Sequence, residues 1–200
     1  MVRRLFVLLL PALFACASTP PTPPPLAVLF LLDRSGSMKE GFGDLKKACV
    51  AGAEVLDRED YVAVLAFDTF PRWVVPFTKA GDKGSFVPLD RLEADGGSSL
   101  QTALLEALHG LQTLPADRAM RKKIVVVSDG DTPPADFEKL VGKLVTEGVP
   151  LSTICISSAR FDPELMARLA GWGRGRFKFT ASTAQVPRLV AQETGRMKVE

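Results

Sequence analysis

Histidine is almost missing from this chain. Among 200 residues His109 is the single one, beside three cysteines, two tryptophans and one tyrosine. One histidine set in "LLEALHGL" leaves a serine or cysteine nucleophile without its usual base, and its apolar neighbours at helical spacing predict packing on a helix. No GxSxG elbow and no phosphate-binding GxxxxGK[ST] loop occur; "GDKGS" (81–85) lacks the spacing. Without a CxxC pair or a Cys/His cluster a structural zinc site is excluded. Cys49 and Cys155 read as small core residues rather than a disulfide. A formal net charge of +2 gives no ground for a nucleic-acid partner.

What the chain does have is apolar content, 46% of residues, with 24% charged, as suits one α/β domain with a full core. The N-terminus differs in kind. "MVRRLFVLLLPALFACAS" places Arg3 and Arg4 before an apolar stretch, Leu5 to Ala15, and small residues around Cys16. Charged start, short apolar centre and small-residue end make residues 1–17 a predicted secretory signal, too short for a comfortable membrane span. "LFAC" resembles a bacterial lipoprotein box, which would make Cys16 the lipidated residue. Phe14 departs from that pattern, so cleavage after Ala17 is the competing reading and an uncleaved anchor the third. Residues 18–25, "STPPTPPP", form a predicted polyproline-II spacer of roughly 25 Å at ~3.1 Å per residue.

From residue 26 to residue 200 strand and helix patterns alternate. "LAVLFLLD", "DYVAVLAFD", "KKIVVVSDGD" and "PLSTICIS" are apolar runs that suit strands buried on both faces. "RWVVPF" follows the second after only "TFP" and predicts an antiparallel edge hairpin; "GRFKF" is a short late strand. Helical patterns lie between them. The expected fold class is α/β, a doubly wound and mostly parallel sheet with one antiparallel edge strand and helices on both faces.

Ligands of such sheets bind beyond the carboxyl ends of the strands. Three loops there carry small oxygen side chains: Asp33, Ser35 and Ser37 after the first strand; "EADGGSSLQTAL" with Ser98 or Ser99 facing the edge; and Asp129 after the third buried strand. Taken alone, Asp33 to Ser37 is equally a helix cap. Taken together, hydroxyls and carboxylates on three loops suit Mg²⁺ or a similar hard cation, with one position left for an outside carboxylate. Asp131 reads as a solvated residue or a cap for the following helix, and Arg34 and Met38 as rim residues.

Asp33-x-Ser35-x-Ser37, a hydroxyl after "GG", and the aspartate of "SDG", in that order, resemble the metal-ion-dependent adhesion site of von Willebrand factor type A domains. The resemblance runs from Leu26 to about Met197. It implies that Ser35 and Ser37 ligate a cation (Mg²⁺, Mn²⁺ or Ca²⁺) and that Ser98 stands where the family has threonine. Asp33 and Asp129 would act directly or through water. It implies a module whose protein partner offers an Asp or Glu carboxylate; the lack of a nearby general base makes the expected module non-enzymatic, and the leader would hold it near a bacterial envelope. Two other readings stay open: a metal-independent scaffold of a membrane-associated complex, and a metal-dependent phosphohydrolase. "SDGDT" is similar to the nucleophile loop of haloacid dehalogenase-like phosphohydrolases, but Thr132 falls one residue early and the loop comes late in the chain.

Overall fold

Eight consecutive residues, Leu26–Asp33, are all buried, and this strand (β1) is the axis of the molecule. The computed structural model describes residues 23–114 and 120–195; the expected signal 1–17 with Cys16, and most of the expected spacer 18–25, lie outside the described residues. β2 (Tyr61–Phe67), β3 (Pro71–Lys79), β4 (Arg121–Ser128), β5 (Leu151–Ile156) and β6 (Arg174–Thr180) join β1 in a sheet of order β3-β2-β1-β4-β5-β6. β1 pairs in parallel with β2 and β4, and β4, β5 and β6 follow in parallel. Only β3 runs antiparallel, hydrogen-bonded to β2 at one edge, as the short "TFP" link requires. The expected fold class is the one observed.

Side chains alternate across a strand, so β1 serves two cores. Val28, Phe30 and Leu32 face α1 (Phe42–Glu54) and α5 (Val186–Thr194). Ala27, Leu29 and Leu31 face α2 (Leu100–Leu111), α3 (Phe137–Thr146) and α4 (Pro163–Trp172). α1 lies against the sheet through Gly52, where a Cβ would stand 2.4 Å from Phe30 Cζ and 2.9 Å from Val190 Cγ1. Only glycine lets the helix, the sheet and α5 meet this closely.

Helix starts are set by local hydrogen bonds. Asp136 Oδ1 accepts from Lys139 N at 3.1 Å and Asp162 Oδ1 from Leu165 N at 2.8 Å, each satisfying an orphan amide of the first turn. The cap of α3 is thus Asp136. Asp131, the residue expected in one reading to cap it, instead faces Arg160 at 3.4 Å in an exposed pair. Among the described residues no helix is long and apolar enough to cross a membrane. Strand order reverses its winding between β1 and β4, and a crevice therefore opens at the carboxyl ends of these two neighbours.

Candidate functional site

Asp33 ends β1 and is fully buried. Its Oδ1 accepts the backbone N–H of Ser35 at 2.8 Å, a turn that folds the chain back so that the Ser35 and Ser37 hydroxyls stand 3.1 Å apart. Its Oδ2 accepts the Ser128 hydroxyl, from neighbouring β4, at 2.6 Å and the Ser98 hydroxyl at 3.4 Å. One carboxylate therefore gathers three loops. Backbone bonds lock them together: Gly36 N donates to Gly96 O at 3.1 Å and Asp95 N to Arg34 O at 2.8 Å. The Arg34 guanidinium donates to Glu93 O at 2.8 Å and to the Asp68 carboxylate, so Arg34 clamps loops together behind the hydroxyls. The third loop is pinned to the start of α2, where Leu100 N donates to Thr132 Oγ1 at 3.0 Å.

Asp129 lies fully buried just beyond the end of β4. Asp131 N donates to its Oδ1 at 3.0 Å and the Ser158 hydroxyl to its Oδ2 at 2.8 Å. Gly130 follows with φ +83°, and a Cβ there would stand 2.6 Å from Asp162 O. Glycine is needed on both counts for the loop to turn Asp129 inward. Burial pushes the Asp33 carboxyl up to about 6; hydrogen bonds from Ser128 and Ser35 oppose the rise, and the charge of Asp129 adds to it.

Of the residues singled out from sequence, Asp33, Ser35, Ser37 and Ser98 are joined directly, and Asp129 sits beside them tied to Ser158. Ser98, not Ser99, carries the hydroxyl that turns to Asp33; Ser99 uses its backbone, donating to Asp68 O at 2.7 Å. Sequence reasoning missed Ser128 and Ser158, which orient the two carboxylates. The only signal for Ser128 was a hydroxyl closing an otherwise apolar strand end. Met38 is buried in the α1 core rather than on the rim. His109 is exposed, because α2 turns Ala103, Leu104, Ala107 and Leu111 inward and leaves Leu105 and His109 outside. Cys49 and Cys155 are free and buried, burial pushing both thiols up to about 12.

Chemically, the site offers hydroxyls and two carboxylates, and among the described residues no three His, Cys, Asp or Glu side chains cluster as a metal set. Oxygen donors with few negative charges fit a hard divalent cation and leave it electrophilic. A buried carboxylate with a raised pKa also fits, since a neighbouring cation favours its charged form.

The model of the von Willebrand factor type A domain matches residues 28–131, a span that contains all three loops. The chain belongs to this family. A solved type A domain from Catenulispora acidiphila superposes with TM-score 0.75 at 20% identity, covering 86% of this chain and 42% of that one. Proximal thread matrix protein 1 of the mussel byssus, solved with a zinc-occupied metal-ion-dependent adhesion motif, gives TM-score 0.69 at 17% identity over 86% of this chain and 45% of that one. Among curated proteins, the uncharacterized protein YfbK of Escherichia coli K12 is 24% identical over 184 residues, 86% of this chain. Those residues are 31% of YfbK, so the type A domain here spans about a third of that relative's length. At these identities the likeness is one of fold.

Proposed function

We propose that this type A domain is a divalent-cation-dependent protein-binding module. The observation that carries the reading is the meeting of Asp33, Ser35, Ser37 and Ser98 at the carboxyl end of β1, with Asp129 alongside. Ser35, Ser37 and Ser98 would hold Mg²⁺, Mn²⁺ or Ca²⁺ through their hydroxyls, with Asp33 and Asp129 steadying bound water. A bound cation supplies an electrophilic position that an Asp or Glu carboxylate of a protein partner can fill. The chain's own part is to hold the donors in place: the Ser35 N–H and Ser128 hydroxyl fix Asp33, and Ser158 fixes Asp129. His109 lies nine residues into α2, roughly 15 Å from Ser98 at 1.5 Å per residue, so no imidazole serves as a base at the site. We read the domain as binding rather than catalytic. The leader supports a place at the bacterial cell envelope with Cys16 lipidated, and the spacer 18–25 would then keep the domain close to the membrane.

Calorimetric titration with Mg²⁺ and Mn²⁺, beside Asp33→Ala and Ser35→Ala, tests the proposal. Saturable binding weakened at least about tenfold by either substitution, with an unchanged circular dichroism spectrum, is expected; losing one hydrogen-bonding oxygen of a charged site is worth about 1.5–3 kcal/mol. A parent that takes no cation, and retains its protein partner in the presence of chelator, would move the assignment to the metal-independent scaffold.

A further inference from the structure

In a parallel sheet all amino ends share one edge, and here that edge lies opposite Asp33 and Asp129. A cavity of about 520 Å³ opens there, lined by Arg121, Lys122 and Lys123 of β4 and by Arg174 and Arg176 of β6. Glu193 of α5 is the acidic residue of its wall and is 1% exposed. Its Oε1 accepts from Lys123 Nζ at 2.6 Å and from the Ser152 hydroxyl at 2.7 Å, and its Oε2 accepts from Arg176 Nε at 2.8 Å. That carboxylate is therefore fully engaged with Lys123 and Arg176. No ion pair joins Arg121, Lys122 or Arg174 among the described residues. Among the described residues the cavity therefore keeps a surplus of positive charge.

A further observation points to a ligand. Thr194 lines the same cavity, is 1% exposed, and its hydroxyl has no hydrogen-bond partner among the described residues. Such a group is costly unless something accepts from it, and an anionic oxygen in the cavity would. Arg174 holds φ 53°, the one non-glycine residue in the left-handed region among the described residues. It follows the C-cap Gly173 of α4, and this left-handed turn is what ends the helix and starts β6 beside the cavity. The chain fits as well: Arg121 N donates to Pro25 O at 3.0 Å, so Pro25 lies beside the cavity.

We propose that this cavity binds the phosphate of an anionic phospholipid headgroup, seating the amino edge of the sheet on a membrane. Guanidinium forks match phosphate oxygens, and Thr194 supplies a neutral donor. A lipid source is favoured over free phosphate because Arg121 and Arg174 are exposed at the mouth, where a surface can reach them, and because Pro25, near the start of the described chain, is bonded to Arg121 at the same edge. The contact does not depend on the cation site or on lipid at Cys16.

The full chain would be sedimented with neutral phosphatidylcholine vesicles and with vesicles carrying phosphatidylglycerol, beside the triple variant Arg121→Gln, Lys122→Gln, Arg174→Gln. A leader that inserts does so equally in parent and variant, so their difference isolates the cavity. Loss of three basic groups should lower partition to the anionic vesicles about 100-fold and leave neutral vesicles unaffected. Thr194→Val, which fills the same space without the hydroxyl, should keep or raise the melting temperature and still weaken anionic binding several-fold. Equal partition of parent and triple variant, or unaltered binding by Thr194→Val, would overturn the proposal. Calorimetric binding of inorganic phosphate by a parent that ignores anionic vesicles would overturn the lipid source and give the cavity to free phosphate.

Discussion

Asp33 carries more of this site than its two neighbouring serines do, because its carboxylate bonds Ser35, Ser98 and Ser128 from three separate segments. Its hydrogen bond from Ser128 is the short one, 2.6 Å, and the same hydroxyl accepts from Gly130 N at 3.0 Å. Ser128→Ala removes both. Asp33 Oδ2 then keeps only the 3.4 Å contact with Ser98, and a buried amide at Gly130 loses its acceptor. Leaving buried polar groups unsatisfied costs about 1–3 kcal/mol each, so a loss of roughly 2–4 kcal/mol is expected in urea denaturation. Ser85→Ala makes the control, since the Ser85 hydroxyl bonds Asp82 at 2.8 Å at the surface and its loss should stay within about 0.5 kcal/mol. A Ser128→Ala protein as stable as its parent would show that solvent reaches Asp33. Ser128 also marks where reading the sequence stopped. Asp33, Ser35 and Ser37 announce themselves by spacing, whereas the partner of Asp33 lies 95 residues away and becomes one only because β4 pairs with β1.

At the scale of elements, the four buried strands were legible because buried parallel strands are continuous apolar runs, while β3 was placed by its short link to β2 and β6 by a brief late pattern. What periodicity did not show were the 3-10 segments Gly36–Gly41 and Lys83–Arg91, which have no apolar period of their own and exist by packing against neighbours. The exposure of His109 escaped for a related reason: the phase of a stripe is plain only once the helix is set against its sheet. The seam that fastens α5 was equally invisible, since Glu193 reads as a surface residue. Burial pushes the Glu193 carboxyl up, but hydrogen bonds from Lys123, Ser152 and Arg176 outweigh it and hold the group below the ordinary carboxylate range. Burial meanwhile holds the Lys123 ammonium below the usual lysine range, only partly offset by Glu193. A carboxyl lowered on folding contributes stability above its unfolded pKa, about 4.3, and loses it as pH falls through the folded value. Glu193→Gln should therefore cost about 3–5 kcal/mol at neutral pH, where it leaves Lys123 without its countercharge, and the gap to the parent should close below about pH 4. Denaturation of both proteins across pH 3 to 8 checks this. A gap that does not change with pH would mean that packing, not charge, gives Glu193 its role.

Across the whole molecule, the two edges of one sheet present different chemistry: oxygen donors at the carboxyl ends, cations at the amino ends. A strand of eight residues rising ~3.3 Å each separates them by roughly 25 Å, and the Debye length at physiological salt is about 8 Å. Charge changed at one edge is therefore screened from the other, and no side chain is shared between the two sites. Substitutions so far apart act independently to within about 0.5 kcal/mol. Asp33→Ala should abolish cation binding and leave vesicle partition within about twofold of the parent, while the triple substitution at Arg121, Lys122 and Arg174 should do the reverse. Combined in one chain, the two sets should show both defects with no excess. Calorimetry and vesicle sedimentation on all four proteins complete the cycle. Independence would mean that the sheet acts as a rigid spacer, holding the cation-binding edge away from the membrane and toward a partner. A coupling above about 1 kcal/mol would instead require a second arrangement of the helices, and α5 is the element to examine, since it closes the cavity through Glu193 and Thr194 and packs on α1, which follows the Ser35–Ser37 loop.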